Sequence, residues 1–303
     1  MKSNILYNTY KSHFINELYK RKGVVANTDI DGILSAALLC SLFPHLSVLG
    51  FTNSCTNIYL SDNIKKNDVL YVDIFMCDKD VFSVDNHIVG SECSIIENPY
   101  KINPNIFYNI YAERYIQKYP FSTFIFLLSL IDDKIINIDI DAIVGKTSDN
   151  EDIFLWELLL RADDTLLSTY IYKENTANWW NILLNNSNNP LLEELYKKVC
   201  EVNNYKNAYA LKKKVQKFLL ETFEIKTDGF KTIEEPNFKK FFSYLTEVIN
   251  YKCVFPEITK NYELQCKKID VSSLEEIKKE YDVKTLAIIN KNTISFSYNI
   301  KDK

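Results

Sequence analysis

The sequence predicts an α/β fold, in which a parallel sheet has helices on both faces and a smaller, mostly helical or α+β lobe follows. Three observations lead to this prediction. Short β-rich apolar runs each stop at polar residues, helix-like stretches alternate with those runs, and 47% hydrophobic residues in a chain of 303 can cover a sizeable core. Alternating strands and helices are typical of a parallel sheet.

The strand-like runs lie in the first half of the chain. "KGVVANT" (22 to 28) is predicted to be a buried strand entering a turn, and "GILSAALLCSLF" (32 to 43) a helix packed on it. Further β-rich runs follow, with "SECSIIEN" (91 to 98) as an additional candidate strand: "LSVLGFT" (46 to 52), "DVLYVDIF" (68 to 75) and "VFSVDNHI" (81 to 88).

The rest of the chain is predicted to be mainly helical, ending in a β-hairpin. The tail "VKTLAIINKNTISFSYNI" (283 to 300) alternates in polarity and turns at "NKN". We place the domain that contains the parallel sheet at 1–155, a helical connector at 156–230 and a small α+β lobe at 231–303. The helix-like stretches are 120 to 131, 140 to 148, 154 to 172, 189 to 202 and 207 to 225.

Composition excludes several classes of protein. The longest apolar runs, such as "FIFLLSLI" (124 to 131), are much shorter than the roughly 20 residues of a membrane span, and the first residues lack a signal-peptide core. Seven cysteines without a CxxC pattern indicate buried free thiols rather than disulfides or zinc ligands. We therefore expect a cytoplasmic protein, and its net charge of -4 disfavours a broadly basic nucleic-acid coat.

Acidic residues stand at the predicted carboxyl ends of successive strands. "NTDIDG" carries Asp29 and Asp31, and Asp73, Asp85 and Asp149 follow later runs. Carboxyl strand ends of a parallel sheet share one edge, where ligands bind. Carboxylates a few ångströms apart resist joint ionisation, and oxygen ligands suit Mn²⁺ or Mg²⁺. The sequence therefore predicts a cation site.

Each acid also has a purely structural interpretation. Asp29 and Asp31 together match a helix N-cap with an acid in the first turn. Asp73 alone would suit a strand-end turn, and Asp149 the N-cap of the following helix. His87, one of three histidines, would be a packed, hydrogen-bonded side chain on this interpretation.

Four stretches resemble, in order, the motifs of the DHH phosphoesterase superfamily. This superfamily includes RecJ-type exonucleases, nanoRNases, cyclic-dinucleotide phosphodiesterases and manganese pyrophosphatases. The resemblance covers about residues 20 to 150, half of the chain. The stretches that carry it are "NTDIDGILSAALL", "VLYVDIF", "FSVDNHIVG" and "DAIVGKTSD".

The resemblance implies a hydrolase with two divalent cations, Mn²⁺ in preference to Mg²⁺. Asp29 and Asp31 match the ligands of the first motif, Asp73 the carboxylate that bridges both cations, and Asp149 the ligand of the fourth motif. Asp85 matches the aspartate that supports the site. His87 matches the histidine that faces the scissile phosphate, so Asp85 and His87 are the predicted catalytic pair.

The sequence departs from the superfamily pattern at three places. Asn27 and Val25 occupy positions where the first motif usually has a histidine, and Asn86 replaces the first histidine of the DHH triplet. Asparagine offers only a weaker, neutral oxygen, so Asn27 and Asn86 are weak candidate ligands and cation binding is expected to be altered. No glycine follows Gly229, so the glycine-rich GGGH motif of the associated C-terminal domain is absent.

The expected function is hydrolysis of phosphodiester bonds in single-stranded or short nucleic acid, or in a nucleotide, by a two-metal mechanism. The alternative is a catalytically weakened scaffold that binds nucleic acid or a replication or repair partner. Pyrophosphate hydrolysis is less favoured, because that branch depends on the missing histidines.

One candidate substrate contact lies after the motifs. Arg161 in "RADDTLLSTY" would bind a phosphate or a base, and the tryptophans of "NTANWW" (175 to 180) would stack on a base. A solvated charge cluster with tryptophan anchors in the core is the favoured interpretation of these residues.

Overall fold

The structure is a computed structural model of the whole chain. It describes residues 2–53, 56–92, 94–95, 98, 100–131, 173–201, 208–226, 229–249, 251 and 253–300. The predicted helices at 140 to 148 and 154 to 172 lie outside these residues.

The described helices and strands follow the alternation that the sequence predicts. The helices are α1 (Lys2–Leu18), α2 (Ile30–Leu42), α3 (Pro104–Phe107), α4 (Thr123–Leu130), α5 (Lys173–Asn186), α6 (Pro190–Glu201), α7 (Ala208–Phe223), α8 (Phe238–Val248) and α9 (Leu274–Glu280). The strands are β1 (Gly23–Asn27), β2 (Val48–Thr52), β3 (Asn57–Ser61), β4 (Val69–Val72), β5 (Phe82–Val84), β6 (Gly90–Ser91), β7 (Ser94–Ile95), β8 (Lys101–Ile102), β9 (Ile258–Glu263), β10 (Gln265–Asp270), β11 (Tyr281–Asn290) and β12 (Thr293–Ile300).

The main sheet has seven strands in the order β8-β5-β4-β1-β2-β3-β9. Strands β8, β5, β4, β1 and β2 are parallel, and β3 runs antiparallel to both β2 and β9. The prediction of an α/β fold with a parallel sheet is therefore confirmed for these five strands, whereas β3 is antiparallel. Chain order reverses at β1, which pairs with β2 on one side and with β4 on the other. Such a reversal opens a crevice at the carboxyl ends of the two strands.

Alternate residues of the strands face two hydrophobic clusters. Val24 and Ala26 of β1 join the larger cluster, to which the described helices contribute, whereas Val25 between them joins a smaller one. The smaller cluster contains strand and loop residues among those described. Helices on this second face therefore stay a prediction.

Most of the element predictions that fall on described residues are confirmed. Helices α2, α4, α6 and α7 and the C-terminal hairpin form where the sequence predicts them. "SECSIIEN" instead belongs to the two-residue strands β6 and β7, which pair with each other. Helix α1 was not predicted, because its apolar residues are spread among asparagine, tyrosine and serine, which favour helix only weakly.

The C-terminal residues do not form one separate unit in space. Strand β9 joins the main sheet through β3, and residues of α8 lie in the same cluster as α2. Strands β10, β12 and β11 form a second, antiparallel sheet. The domain limits at 155 and 230 stay predictions.

The small sheet contacts the loops that follow β4 and β5. Isolated bridges join Met76 to Thr285 and Ile88 to Ile288. The ammonium of Lys284 lies 2.8 Å from a carboxylate oxygen of Asp78. Burial opposes the charge of Lys284, but hydrogen bonds to Asp78 and Asp282 leave its pKa raised above the usual value. Strand β11 is thus held against the carboxyl edge of the main sheet.

Two predictions about composition can be compared with the described residues. Cys40, Cys77, Cys253 and Cys266 are free thiols, as expected, but only Cys40 and Cys77 of these four are fully buried. None of the helices in the described ranges has both the length and the apolar character that a membrane span requires.

An aromatic cluster connects β2 to α8. The ring of Phe51 lies 5.0 Å from that of Phe238, 5.5 Å from Phe242 and 5.3 Å from Phe255, centroid to centroid.

We expect Phe51→Ala to lower the free energy of unfolding by about 3–5 kcal/mol, because it removes a buried aromatic ring and leaves a cavity. Urea denaturation measures this loss. Val254→Ala, at a side chain that is 83% exposed, is the control and should change stability by less than about 0.5 kcal/mol.

Candidate functional site

Some of the predicted site residues meet at the crevice where the strand order reverses. Asn27 ends β1 and Asp29 precedes α2, while Asp73 directly follows β4. Together with His87 they line a cavity of about 160 Å³. The position agrees with the prediction of a site at the carboxyl edge.

Asp29 caps the N-terminus of α2. Its Oδ1 accepts a hydrogen bond from the backbone N–H of Gly32 at 2.9 Å, and its Oδ2 accepts one from Nδ2 of Asn27 at 2.6 Å. A Cβ atom on Gly32 would lie 2.5 Å from the carbonyl oxygen of Asn27. The glycine therefore lets the helix begin directly against the end of β1. The N-cap interpretation of Asp29 is correct, and the same carboxylate also faces the crevice.

Asp73 lies in the left-handed region of the backbone, with φ of 58°. Aspartate and asparagine adopt this conformation more readily than most residues. Its Oδ2 accepts a hydrogen bond from Nδ2 of Asn27 at 3.0 Å, and its Oδ1 accepts one from the Thr123 hydroxyl at 3.1 Å. The turn after β4 thus brings the Asp73 carboxylate opposite Asp29.

Asp85 orients His87. Nδ1 of His87 lies 2.6 Å from Oδ1 of Asp85, whose Oδ2 accepts from the backbone N–H of His87 at 3.0 Å and from Nδ2 of Asn103 at 3.2 Å. An ionised carboxylate can only accept, so Nδ1 carries a proton, and in the neutral imidazole Nε2 then carries the lone pair. Asp85 therefore orients His87, and its role as the aspartate that supports the site stays a prediction.

Asp73, Asp85 and His87 form a group that could hold a metal ion. One ligand atom from each residue lies within 4.8 Å of the others. Ligands on opposite sides of a cation would be about 4 Å apart, because metal–ligand distances are about 2.0–2.2 Å. Carboxylate and imidazole ligands bind several divalent cations, so the preference for Mn²⁺ over Mg²⁺ stays a prediction.

Asp31 has different partners from those predicted. Its Oδ2 accepts from the backbone N–H of Thr123 at 2.7 Å, and its Oδ1 accepts from the N–H of Phe124 at 2.9 Å and from the Ser35 hydroxyl at 3.1 Å. The carboxylate thus binds the N-terminus of α4, where backbone N–H groups lack helical partners. Asp31 is not in the group of three, and its role as a cation ligand stays a prediction.

Asn86 also binds backbone. Its Nδ2 donates to the backbone carbonyl oxygen of Phe121 at 3.0 Å, and the backbone carbonyl oxygen of Asn86 accepts from Nδ2 of Asn105 at 2.6 Å. Asn86 is not among the described residues that line the cavity. Its side chain joins the β5 loop to the segment that precedes α4.

The fourth-motif ligand and the substrate contact are not described. Asp149 and Arg161 both lie outside the described residues, and their roles stay predictions. Trp179 and Trp180 are described and buried, with Nε1 of Trp179 donating to the carbonyl oxygen of Gln117 at 2.9 Å. The favoured interpretation of the tryptophans as core anchors is therefore confirmed.

The small C-terminal sheet forms the opposite wall of the cavity. Leu286, Ala287 and Ile289 make it largely apolar, and Thr285 and Ser295 add hydroxyl groups. No lysine or arginine is present among the described lining residues. The sequence pattern predicts the hairpin but contains no signal that places it here.

Two other contributors were missed at the sequence level. The first is the segment 229–230. The backbone N–H of Phe230 donates a hydrogen bond to the carbonyl oxygen of Thr28 at 2.9 Å, and Gly229 forms an isolated β-bridge with Asp29. Thr123 supplies a hydroxyl and a backbone N–H to the carboxylates. A signal for Thr123 exists, because Ser122 before an apolar run is typical of a helix N-cap.

Comparison of this chain with protein-family models, with curated proteins and with solved structures produced no match. The resemblance to DHH phosphoesterases therefore rests on the four sequence stretches and stays a prediction.

We expect Asp31→Asn to lower the free energy of unfolding by about 1.5–3 kcal/mol, because a buried carboxylate loses charge-assisted hydrogen bonds. The amide would also turn an N–H group toward the backbone N–H groups of α4. Thermal and urea unfolding measure the loss, with Asp62→Asn at an exposed position as the control. Equal stability of the two variants would contradict the structural role of Asp31.

Gly229→Ala should also destabilise the protein, by about 1–3 kcal/mol, because the added methyl group has no space. Its Cβ would lie 2.5 Å from Cβ of Asp29 and 2.6 Å from the carbonyl oxygen of Thr28. Differential scanning fluorimetry is the measurement, and Lys226→Ala on the nearby exposed surface is the control. An unchanged melting temperature would show that segment 229–230 does not hold Asp29.

Proposed function

We propose that this protein is a phosphoesterase that depends on a divalent cation. The observation that carries the proposal is the convergence of Asp73, Asp85 and His87 at the crevice between β1 and β4. Open α/β sheets bind their ligands at this point of the fold. The order of the four motif-like stretches in the sequence supports the same conclusion.

The charges of the described residues favour a cation. Asp29, Asp73 and Asp85 are all buried, and the described cavity lining contains no basic side chain apart from His87. Buried carboxylates without a compensating positive charge are costly. Asp73 and His87 would hold the cation, and Asp85 would orient His87 behind it.

A bound divalent cation would supply a water molecule of lowered pKa and would offset negative charge on the phosphoryl oxygens. The residues of the chain supply the remaining functions. Asp85 holds a proton of His87 on Nδ1, so that the lone pair of Nε2 is available to bind the cation. The apolar wall formed by Leu286 and Ala287 limits access of bulk water.

The substrate class follows from the resemblance and from the size of the cavity. A volume of about 160 Å³ is below the roughly 300 Å³ at which sites for drug-sized ligands begin. It suits a phosphoryl group, with the attached nucleoside outside. We therefore propose phosphodiesters of single-stranded or short nucleic acid, or of a nucleotide, as substrates.

A scaffold without catalysis is the second candidate, and the hydrogen bonds of the site favour it. Both oxygens of Asp29 and of Asp73 accept hydrogen bonds from groups of the protein. Carboxylates satisfied in this way can stay buried without a cation. A protein of this kind would bind nucleic acid or a partner protein through the same fold.

Asp73→Asn distinguishes the two candidates. Asparagine tolerates the left-handed backbone of this position and retains an acceptor for Thr123, but it loses the charge that binds the cation. With Mn²⁺ present, we expect hydrolysis of single-stranded DNA, short RNA or a chromogenic phosphodiester to fall at least about 100-fold.

His87→Gln should reduce the same activity by at least about 100-fold, because the imidazole ligand of the cation is lost. His45→Gln is the matched control, since His45 stacks on Tyr19 and is not in the described cavity lining. A wild-type protein that binds Mn²⁺ weakly or not at all and hydrolyses none of these substrates would favour the scaffold.

A further inference from the structure

The side chain of Asn27 has one orientation that its neighbours permit. The backbone N–H of Thr28 donates to the carbonyl oxygen of Thr52 at 2.9 Å and also to Oδ1 of Asn27 at 3.1 Å, which favours an oxygen at that position. The opposite end of the amide faces two carboxylate oxygens, which require a donor. If the oxygen and the nitrogen of the Asn27 amide exchanged places, the oxygen would face the carboxylates of Asp29 and Asp73. The amide N–H groups would then face the backbone N–H of Thr28. The nitrogen of Asn27 is therefore the atom that faces Asp29 and Asp73.

That nitrogen lies where two carboxylates would otherwise need a cation. Nδ2 is 2.6 Å from Oδ2 of Asp29 and 3.0 Å from Oδ2 of Asp73. Its two N–H groups allow one hydrogen bond to each carboxylate. A cation that bridged the same oxygens would lie about 2.0–2.2 Å from each, in space that the amide fills.

We propose that the Asn27 amide replaces one of the two cations, so that the protein binds a single divalent cation. This cation lies on the side of Asp73 that faces His87. Asp85 does not bind the cation but accepts a hydrogen bond from His87. The inference rests on the proposed function and narrows it from a two-cation to a one-cation site. Asn27 is a positioning residue on this account, because it acts through Asp29 and Asp73.

The charges of the site support one amide and one cation in place of two cations. A neutral amide satisfies the hydrogen bonds of Asp29 and Asp73 but adds no positive charge. The net negative charge therefore remains, and it favours a cation at the neighbouring position near His87. Removal of the amide would leave two facing carboxylates with space between them, which is a second place for a cation.

The test is the stoichiometry of Mn²⁺ binding to the full chain, measured by calorimetry after removal of metals. We expect one equivalent for the wild-type protein and two for Asn27→Ala. Electron paramagnetic resonance gives an independent readout, because a lone Mn²⁺ shows its isolated hyperfine pattern and a close pair shows exchange coupling. Asn57→Ala, which removes a partly exposed amide of β3, is the control and should keep one equivalent.

The possible outcomes separate the inference from the proposed function. Two exchange-coupled equivalents in the wild-type protein would overturn the inference and leave the proposed function intact. No binding at all would overturn both, because the group of three would then hold no cation. A folded Asn27→Ala variant that stays at one equivalent would also reject the role of the amide. If that variant does not fold, the wild-type stoichiometry and spectrum decide.

Discussion

Burial of carboxylates at one edge of the sheet is the constraint on which the rest of the site depends. Asp29, Asp31, Asp73 and Asp85 are each at most 7% exposed. Burial of ionised groups without hydrogen-bond partners is costly. Each carboxylate therefore requires its own donors, and their sources are different parts of the chain: Gly32, Asn27, Thr123, Phe124, Ser35, Asn103 and His87. Satisfying these groups joins β1, α2, α4 and the β5 loop into one rigid site.

Segments distant in sequence complete this edge. Gly229 and Phe230 pair with the residues around Asp29, and β11 bridges to the loops that carry Asp73 and His87. The C-terminal sheet thereby forms an apolar wall about the carboxylates, which lowers the local dielectric and strengthens every interaction of the site. The small cavity and its charge therefore depend on contacts that the C-terminal segments make with the carboxyl edge of the main sheet.

The sequence predicts much of the fold and part of the site. Apolar runs that end in polar residues indicate β1, β2, β4 and β5, because burial of both faces of a central strand requires continuous hydrophobic residues. Strands β9 and β10 were not predicted, because polar residues predominate in them. Strand β3 was also missed, although Ile58, Tyr59 and Leu60 at its centre are buried. Asp73 and His87 were identified from their position after a strand. Asp31 has partners in α4 that no local pattern indicates.

By itself, the sequence determined the α/β class, the strands of the parallel sheet and the acids at their carboxyl ends, since these follow from local periodicity and strand polarity. The tertiary structure decided which oxygen each donor satisfies. Asn27 is an unexplained departure from a motif in the sequence. In space, its amide joins Asp29 to Asp73, because the reversal of strand order at β1 brings the ends of β1 and β4 together. Hydrogen bonds between residues distant in sequence depend on such packing, which sequence spacing does not encode.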